Sequence, residues 1–315
     1  YNKTEDVFFN LSLANSSGYD ELFTNAGEIE NKGMEVDLSY DLFRNDNFSI
    51  NFNINWSYYR NNVLDLKGVE SIRLGGLSAV SGRAVEGYPL GIFWGTKFER
   101  NDDGSILLNS NGFPSLAPEN GVIGNPHPDW QGGIGTTVSW KDLSLFFLFE
   151  TYQGADIYAG TKAVLLNYGR HQDSGIETVA QKDLFDYSGG LITSGTTFRG
   201  SIHDFGAGPV ALTEPWYRGI GGYFSGVQEQ FVEDGSWTRL RELTLSYSLR
   251  GAKFRKASKL SSIDFSFTGR NLFILTDFVG NDPDTNLTEV STTRGIDYFN
   301  NPGTKSYVFK IIINY

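Results

Sequence analysis

The residues able to do chemistry are scattered along the chain. Carboxylates come closest to a reactive arrangement: Glu35 with Asp37, Asp102 with Asp103, Asp234, and Asp282 with Asp284. A glycoside hydrolase needs two such groups roughly 5–10 Å apart. Glu35 and Asp37, two residues apart in an alternating segment, share one wet face, and Asp102-Asp103-Gly104 is a turn signal. The stretch GNDPDTN sets Asp282, Asp284 and Asn286 at alternate positions, an oxygen-ligand candidate for calcium. It lacks the length and terminal Glu of an EF-hand, and Asx-turn chemistry explains the same residues. His127, His171 and His203 are far apart and have no metal spacing; with no cysteine there is no thiolate ligand, nucleophile or disulfide. No catalytic residue and no cofactor is expected, and the chain does not read as an enzyme.

Aromatics are the better binding candidates. The segment 154–234 carries Tyr158, Tyr168, Tyr187, Trp216, Tyr217, Tyr223 and Phe224 among many glycines. Aromatics on an exposed segment can stack on sugars or peptides, or pack against a partner. The alternative is that they pack on one another, since so long a segment must bury something to be ordered. Tyr158, Tyr168, Trp216, Tyr217 and Tyr223 are the residues chosen as ligand- or partner-contacting.

The elements that must position these residues follow from composition and period. The 315 residues carry a net charge of −11, which argues against a nucleic-acid surface. No run of about 18 apolar residues is present, so no transmembrane helix is expected. Aromatics make up 15% of the chain, yet mean hydropathy is only −0.29. The apolar residues are therefore diluted by polar neighbours at short range, and the dilution has a period of two. Residues 48–59 read FSINFNINWSYY: Phe48, Ile50, Phe52, Ile54, Trp56 and Tyr58 face one way, and serines and asparagines mostly face the other. The same alternation runs through residues 34–41, 243–250, 263–270 and 306–315. Further strand candidates are 7–13, 88–99, 105–109, 130–140 and 143–153, giving roughly ten strands in all. Residues 161–167 are the best helical candidate.

Short and long connections alternate. LFRND, Lys141-Asp142 and GAKFRKASKL are short; residues 61–87, 109–129, 154–234 and 277–305 are long. An outer-membrane barrel has this asymmetry, with short periplasmic turns and long extracellular loops. Its lipid-facing exterior and wet lumen also explain a polar strand face. Counting back from a last strand that ends at the periplasm, all three short connections fall inside and all four long ones outside. An antiparallel soluble sheet with one buried face would show the same alternation.

Several phrases go further. NAGEIENKGMEVDL (25–38), EGYPLGIFWGTKFE (86–99), IGNPHPDWQGGIGTTVSWKDLSLFF (123–147), ADIYAG (155–160), VEDGSWTRLRELTLSYSL (232–249), GRNLFILTDFVGNDPD (269–284) and RGIDYFNNPGTKSYVFKIIINY at the end resemble, in order, the SusC/RagA family of TonB-dependent outer-membrane transporters. Each is short, but together they cover nearly the whole chain. The resemblance implies an all-β, antiparallel transmembrane β-barrel of about 22 strands, of which residues 1–315 would be the C-terminal portion, with the plug and first half of the barrel outside it. It implies active import of a glycan or peptide across the bacterial outer membrane. The implied partners are a SusD-like surface lipoprotein acting as a lid, the TonB–ExbB–ExbD machinery acting through the plug, and the lipid bilayer. The five aromatics above would then touch cargo or lid. A passive porin or adhesin-like barrel and a soluble secreted polysaccharide-binding β-protein are the alternatives.

Overall fold

The computed structural model describes residues 1–12, 15–25, 27–288 and 290–315. Its largest sheet has eight strands: β1 (Asn2–Thr4), β2 (Glu28–Arg44), β3 (Phe48–Asp65), β4 (Trp130–Trp140), β5 (Leu143–Gln153), β6 (Trp237–Arg250), β7 (Ser262–Thr276) and β8 (Ser306–Asn314). Each pairs antiparallel with the next in the chain, a pure meander, and among the described residues β1 and β8 are its edges. The alternation read from the sequence is the alternation of its two faces. Met34, Leu38, Tyr40, Leu245, Phe267, Phe309 and Ile311 stand exposed on the outer face, Phe309 at 64%. The opposite face carries Asn51, Asn53 and Asn55, and Asn51 donates across to Asp41 at 2.9 Å. A contiguous apolar face of this extent does not stay in water on an isolated soluble domain.

β4 and β5, with eleven residues each, and β8, with nine, match the length of a tilted membrane strand; β2 and β3 run to 17 and 18. The excess carries the sheet past the apolar band and into the long connections. Lys141 takes a positive φ of 55° in the two-residue link from β4 to β5, the backbone such tight hairpins demand.

The buried core is in the connections, not under the sheet. Its main cluster joins Phe93, Phe113, Tyr158, Trp216, Tyr217, Tyr223, Phe231 and Ile296, from three separate long connections. Small sheets organise it: a four-stranded one from Ser71–Gly76, Val80–Val85, Ile92–Gly95 and Gly121–Gly124, and a three-stranded one from Asp156–Ala159, Val232–Asp234 and Ile296–Asp297. Helices α1 (Gly160–Asn167) and α2 (Glu214–Arg218) complete it, α1 lying where the sequence placed a helix.

Among the described residues the wall holds seven of the ten strands expected, together with β1, which was not expected, and the reason the other three leave it is local. In residues 88–99 only Ile92–Gly95 is a strand, and its neighbours Ile92 and Phe93, on opposite faces, are both buried within the loop core. Phe8–Ser12 pairs with Glu21–Asn25 as a separate hairpin, while Leu13, the end of that expected strand, lies outside the described residues. Residues 105–109 make only isolated bridges. The long connection expected from 61 starts later, because β3 continues to Asp65. The connection GAKFRKASKL holds a short helix, α3 (Ala252–Ser258).

Candidate functional site

Strand register brings two rows of wet-face side chains together just below the loops. One row runs Asn55, Gly133, Glu150, Arg239; the next runs Ser57, Gln131, Tyr152, Trp237, Thr276. Gly133 puts no side chain between Asn55 and Glu150, which leaves room in the first row. A bulge at Arg241 interrupts the pairing of β5 with β6 between Leu240 and Glu242. A bulge adds one residue to a strand and so reverses which residues face which way. Trp237, Arg239 and Arg241 face the wet side before it; Glu242 and Thr244 do so after it, with Leu243 and Leu245 outward.

Above these rows lies a cavity of about 420 Å³. Its floor is the Tyr152–Trp237 pair, stacked at 6.0 Å between ring centroids with 11° between planes. The Arg239 and Arg241 guanidiniums lie 5.3 and 5.2 Å from the Trp237 ring, cation–π distances. Arg241 donates to Glu150 and, at 2.7 Å, to Asp284. Arg239, 4% exposed, is ion-paired with buried Asp282, and its Nε finds no acceptor among the described residues. Loop residues close the cavity: Asp156, Asp284, Asn286 and Arg294. Arg294 donates to the Tyr152 hydroxyl at 3.2 Å and has no carboxylate within salt-bridge reach among the described residues. Burial raises the Asp156 carboxyl above its ordinary range; the Asn125 amide, donating to it at 2.6 Å, opposes this. Nearby, His127 places Nε2 2.8 Å from the Leu90 carbonyl, and burial lowers its pKa.

The chosen aromatics sit elsewhere. Tyr158, Trp216, Tyr217 and Tyr223 are buried, so four of the five pack the loops rather than face a ligand or partner. Tyr158 donates to Gln228 and Tyr217 lies 3.1 Å from the Ser201 hydroxyl, which satisfies their polar ends inside the core. Tyr168 alone is exposed, edge-on to exposed Phe224 at 5.9 Å. The calcium candidate does not fit a cation: Asp282 is turned to Arg239, Asp284 to Arg241, and the Asn286 side chain accepts from the Gly295 amide. Asp103 accepts from Ser105 in its turn, and Glu35 and Asp37 stand exposed. His171 and His203 lie in other parts of the loops, His203 against Phe205. Among the described residues no three His, Asp or Glu side chains converge.

Glu150 and Asp284 both serve as ion-pair acceptors for Arg241, and what remains open is an aromatic floor with a cation and amide groups around it. Sequence reasoning missed Tyr152, Trp237, Arg241 and Arg294. The signal for two of them was present in WTRLREL, where Trp237, Arg239 and Arg241 hold the same odd-numbered phase as Leu243 and Leu245, while apolar Leu240 holds the other, a switch of pattern that marks the bulge.

Comparison with known proteins agrees with the fold. No family model matches the chain. Over 305 residues it is 27% identical to TonB-dependent receptor P26 of Formosa agariphila, covering 90% of this chain and 28% of that protein. It is 23% identical to TonB-dependent receptor P3 of the same organism, covering 97% and 30%. It superposes on the RagAB peptide importer in its closed-closed state with a TM-score of 0.67 and 18% identity, covering 99% of this chain and 32% of that one. The chain is similar in sequence and fold to SusC/RagA-like TonB-dependent receptors. It spans a little under a third of the length of these relatives. The match to the open-open state of the same importer gives a TM-score of 0.65, so the chain's wall and loops overlay both states to a similar degree.

Proposed function

We propose that this segment forms part of the wall and outer loops of an outer-membrane importer. The reading is a closed barrel of about 22 strands, with the eight-stranded meander as its C-terminal part, short turns at the periplasm and long loops outside. Energy would come from TonB, ExbB and ExbD through a plug carried by the longer protein. A SusD-like lipoprotein would close over the loops, with exposed Tyr168 and Phe224 available to it. The observation that carries this is the sheet itself: one face apolar and exposed, the other polar, and every long connection at one end. A soluble polysaccharide-binding protein has no use for the exposed face, and the likeness to named TonB-dependent receptors supports energy-coupled import over a passive pore.

The cargo is a polar oligomer with a flat face and an anionic or strongly hydrogen-bonding group. The flat face would lie on Tyr152 and Trp237 and the polar group against Arg294. Glycans and peptides both offer these features; the peptide importer among its structural neighbours favours testing peptides first. The experiment is growth and labelled-oligomer uptake by the native bacterium with the gene deleted, then restored as wild type or as Arg294→Gln. Loss on deletion, restoration by wild type and about tenfold weaker uptake affinity for the variant are expected, the scale of one charge-assisted hydrogen bond. Unchanged uptake on deletion, or a purified protein that stays monodisperse without detergent, refutes the importer reading.

A further inference from the structure

The chain's charge is unevenly placed. The three short turns, residues 41–48, 140–143 and 250–261, hold seven Lys and Arg against three Asp and Glu; everything else holds nineteen against thirty-four. Most of this local excess is in RGAKFRKASK, where Arg250, Lys253, Arg255, Lys256 and Lys259 stand in ten residues without a carboxylate. We propose that the β6–β7 turn is a binding site for the phosphate headgroups of anionic phospholipids. This rests on the reading that the sheet spans the membrane.

The turn's build presents the cations. Gly251, at φ 118°, lets the chain swing out of β6 into α3, and Lys259 ends the helix in the left-handed region at φ 61°. Phe254 and Leu260 are partly buried and seat the turn against the end of the sheet, while Lys253, Arg255, Lys256 and Lys259 are exposed. Arg250 is held by Asp142 at 2.6 Å; the other four have no carboxylate within salt-bridge reach among the described residues.

Their level relative to the apolar face selects the partner. Register places Phe48 beside Trp140, Trp140 beside Leu143, and Leu143 beside Tyr247, a row of large side chains crossing the outer face just inside the turns. Trp140 and Tyr247 are exposed, and Lys141 lies 5.7 Å over the Trp140 ring. Trp and Tyr in such a row mark the level where hydrocarbon meets headgroups. Cations immediately beyond it meet lipid phosphates, and clusters of four to eight Lys and Arg at this level attract anionic lipid. An acidic protein partner would explain the charge but not its continuity with the exposed apolar face.

The test uses the protein extracted from the outer membrane and placed in nanodiscs containing phosphatidylglycerol and phosphatidylethanolamine. Native mass spectrometry then reads which lipid stays bound. Wild type is expected to retain phosphatidylglycerol preferentially. At roughly fivefold per cation, the combined Lys253→Gln, Arg255→Gln, Lys256→Gln and Lys259→Gln variant is expected to lose more than tenfold of that preference. Lys182→Gln, an exposed loop lysine at the far end, is expected to keep it. An undiminished preference in the combined variant overturns the proposal. So does release of phosphatidylglycerol from wild type by millimolar inorganic phosphate, which would mark a site for free anions. A protein that needs no detergent at all would instead overturn the membrane reading beneath it.

Discussion

Asp282→Asn separates the loop 277–305 from the wall in a way that can be measured. Asn keeps the shape of Asp and most of its hydrogen bonding, including a side-chain oxygen that can accept from the Asp284 amide, as Asp282 does now at 3.0 Å. What it removes is the charge facing Arg239, whose guanidinium is almost wholly buried and whose Nε is already without an acceptor among the described residues. Stripping one partner from a buried ion pair costs about 3–5 kcal/mol, because the other charge stays buried. Two features reduce this. Asp284 has an oxygen 3.9 Å from Arg239, and the Trp237 ring offers a cation–π contact of about 0.5–1 kcal/mol. The remaining loss is about 2–3 kcal/mol, a roughly 30- to 160-fold rise in local opening. Hydrogen exchange in detergent reads it at amides that hold the loop: Thr285 on the Asp282 carbonyl, Leu287 on the Ile296 carbonyl and Gly295 on Asn286. Those amides should exchange faster by that factor, while the Glu177–Val179 and Thr197–Arg199 pair should not change. Unchanged exchange in the loop would refute the reasoning, as would an equal acceleration in both places.

His127 is held below the ordinary histidine value mainly by burial, with the Arg294 charge adding and the Leu90 carbonyl opposing; the folded state therefore resists protonation. Loop stability should be full above about pH 6.5 and fall as pH drops below it, and His127→Gln should flatten that fall in thermal unfolding. Asp297 is buried with Oδ1 unpaired, and its carboxyl is raised by burial and by Glu233 against hydrogen bonds from Thr161. A raised carboxyl contributes stability at low pH that is lost as pH rises, so Asp297→Asn should stabilise the loops at pH 7 and make no difference near pH 3. A Cβ on Gly82 would sit 2.1 Å from the Thr292 carbonyl oxygen, a backbone atom with nowhere to retreat. Gly82→Ala should cost about 1–3 kcal/mol by overpacking, and a melting temperature equal to wild type would show that the two loops slide apart freely.

The wall was legible because one rule governs it. In β3, β7 and β8 every second side chain meets the same surroundings over nine or more residues, so period alone gives the strand and its faces. The pairs Trp130–Trp140 and Leu143–Gln153 were bounded to the residue, since Lys141-Asp142 admits nothing but a tight hairpin. The loops obeyed no such rule. Tyr158, Trp216, Tyr217 and Tyr223 come from positions up to 65 residues apart and meet only through tertiary packing. An aromatic destined for a core and one destined for a ligand look the same in sequence, and here the core took four of five.

The cavity falls where the two regimes meet, and that explains both its chemistry and why it was missed. Below it, on the membrane reading, lipid outside and water inside impose a strict two-residue period. Above it, the loops fold around an apolar core of their own. At the seam β6 must pass from one to the other, and the bulge at Arg241 is the transition: it shifts the phase of alternation by one and brings three successive wet-side positions, Trp237, Arg239 and Arg241, beneath the loops. Two guanidiniums there would repel each other and the surrounding dipoles unless the loop 277–305 supplied Asp282 and Asp284. The same two carboxylates that suggested calcium are thus the counter-charges that hold the last long loop down on the wall. Arg294 is left over on the cavity's rim with only a tyrosine hydroxyl as partner among the described residues. On the proposed importer reading, the bulge in the wall and this loop cation both serve to grip a passing polar molecule.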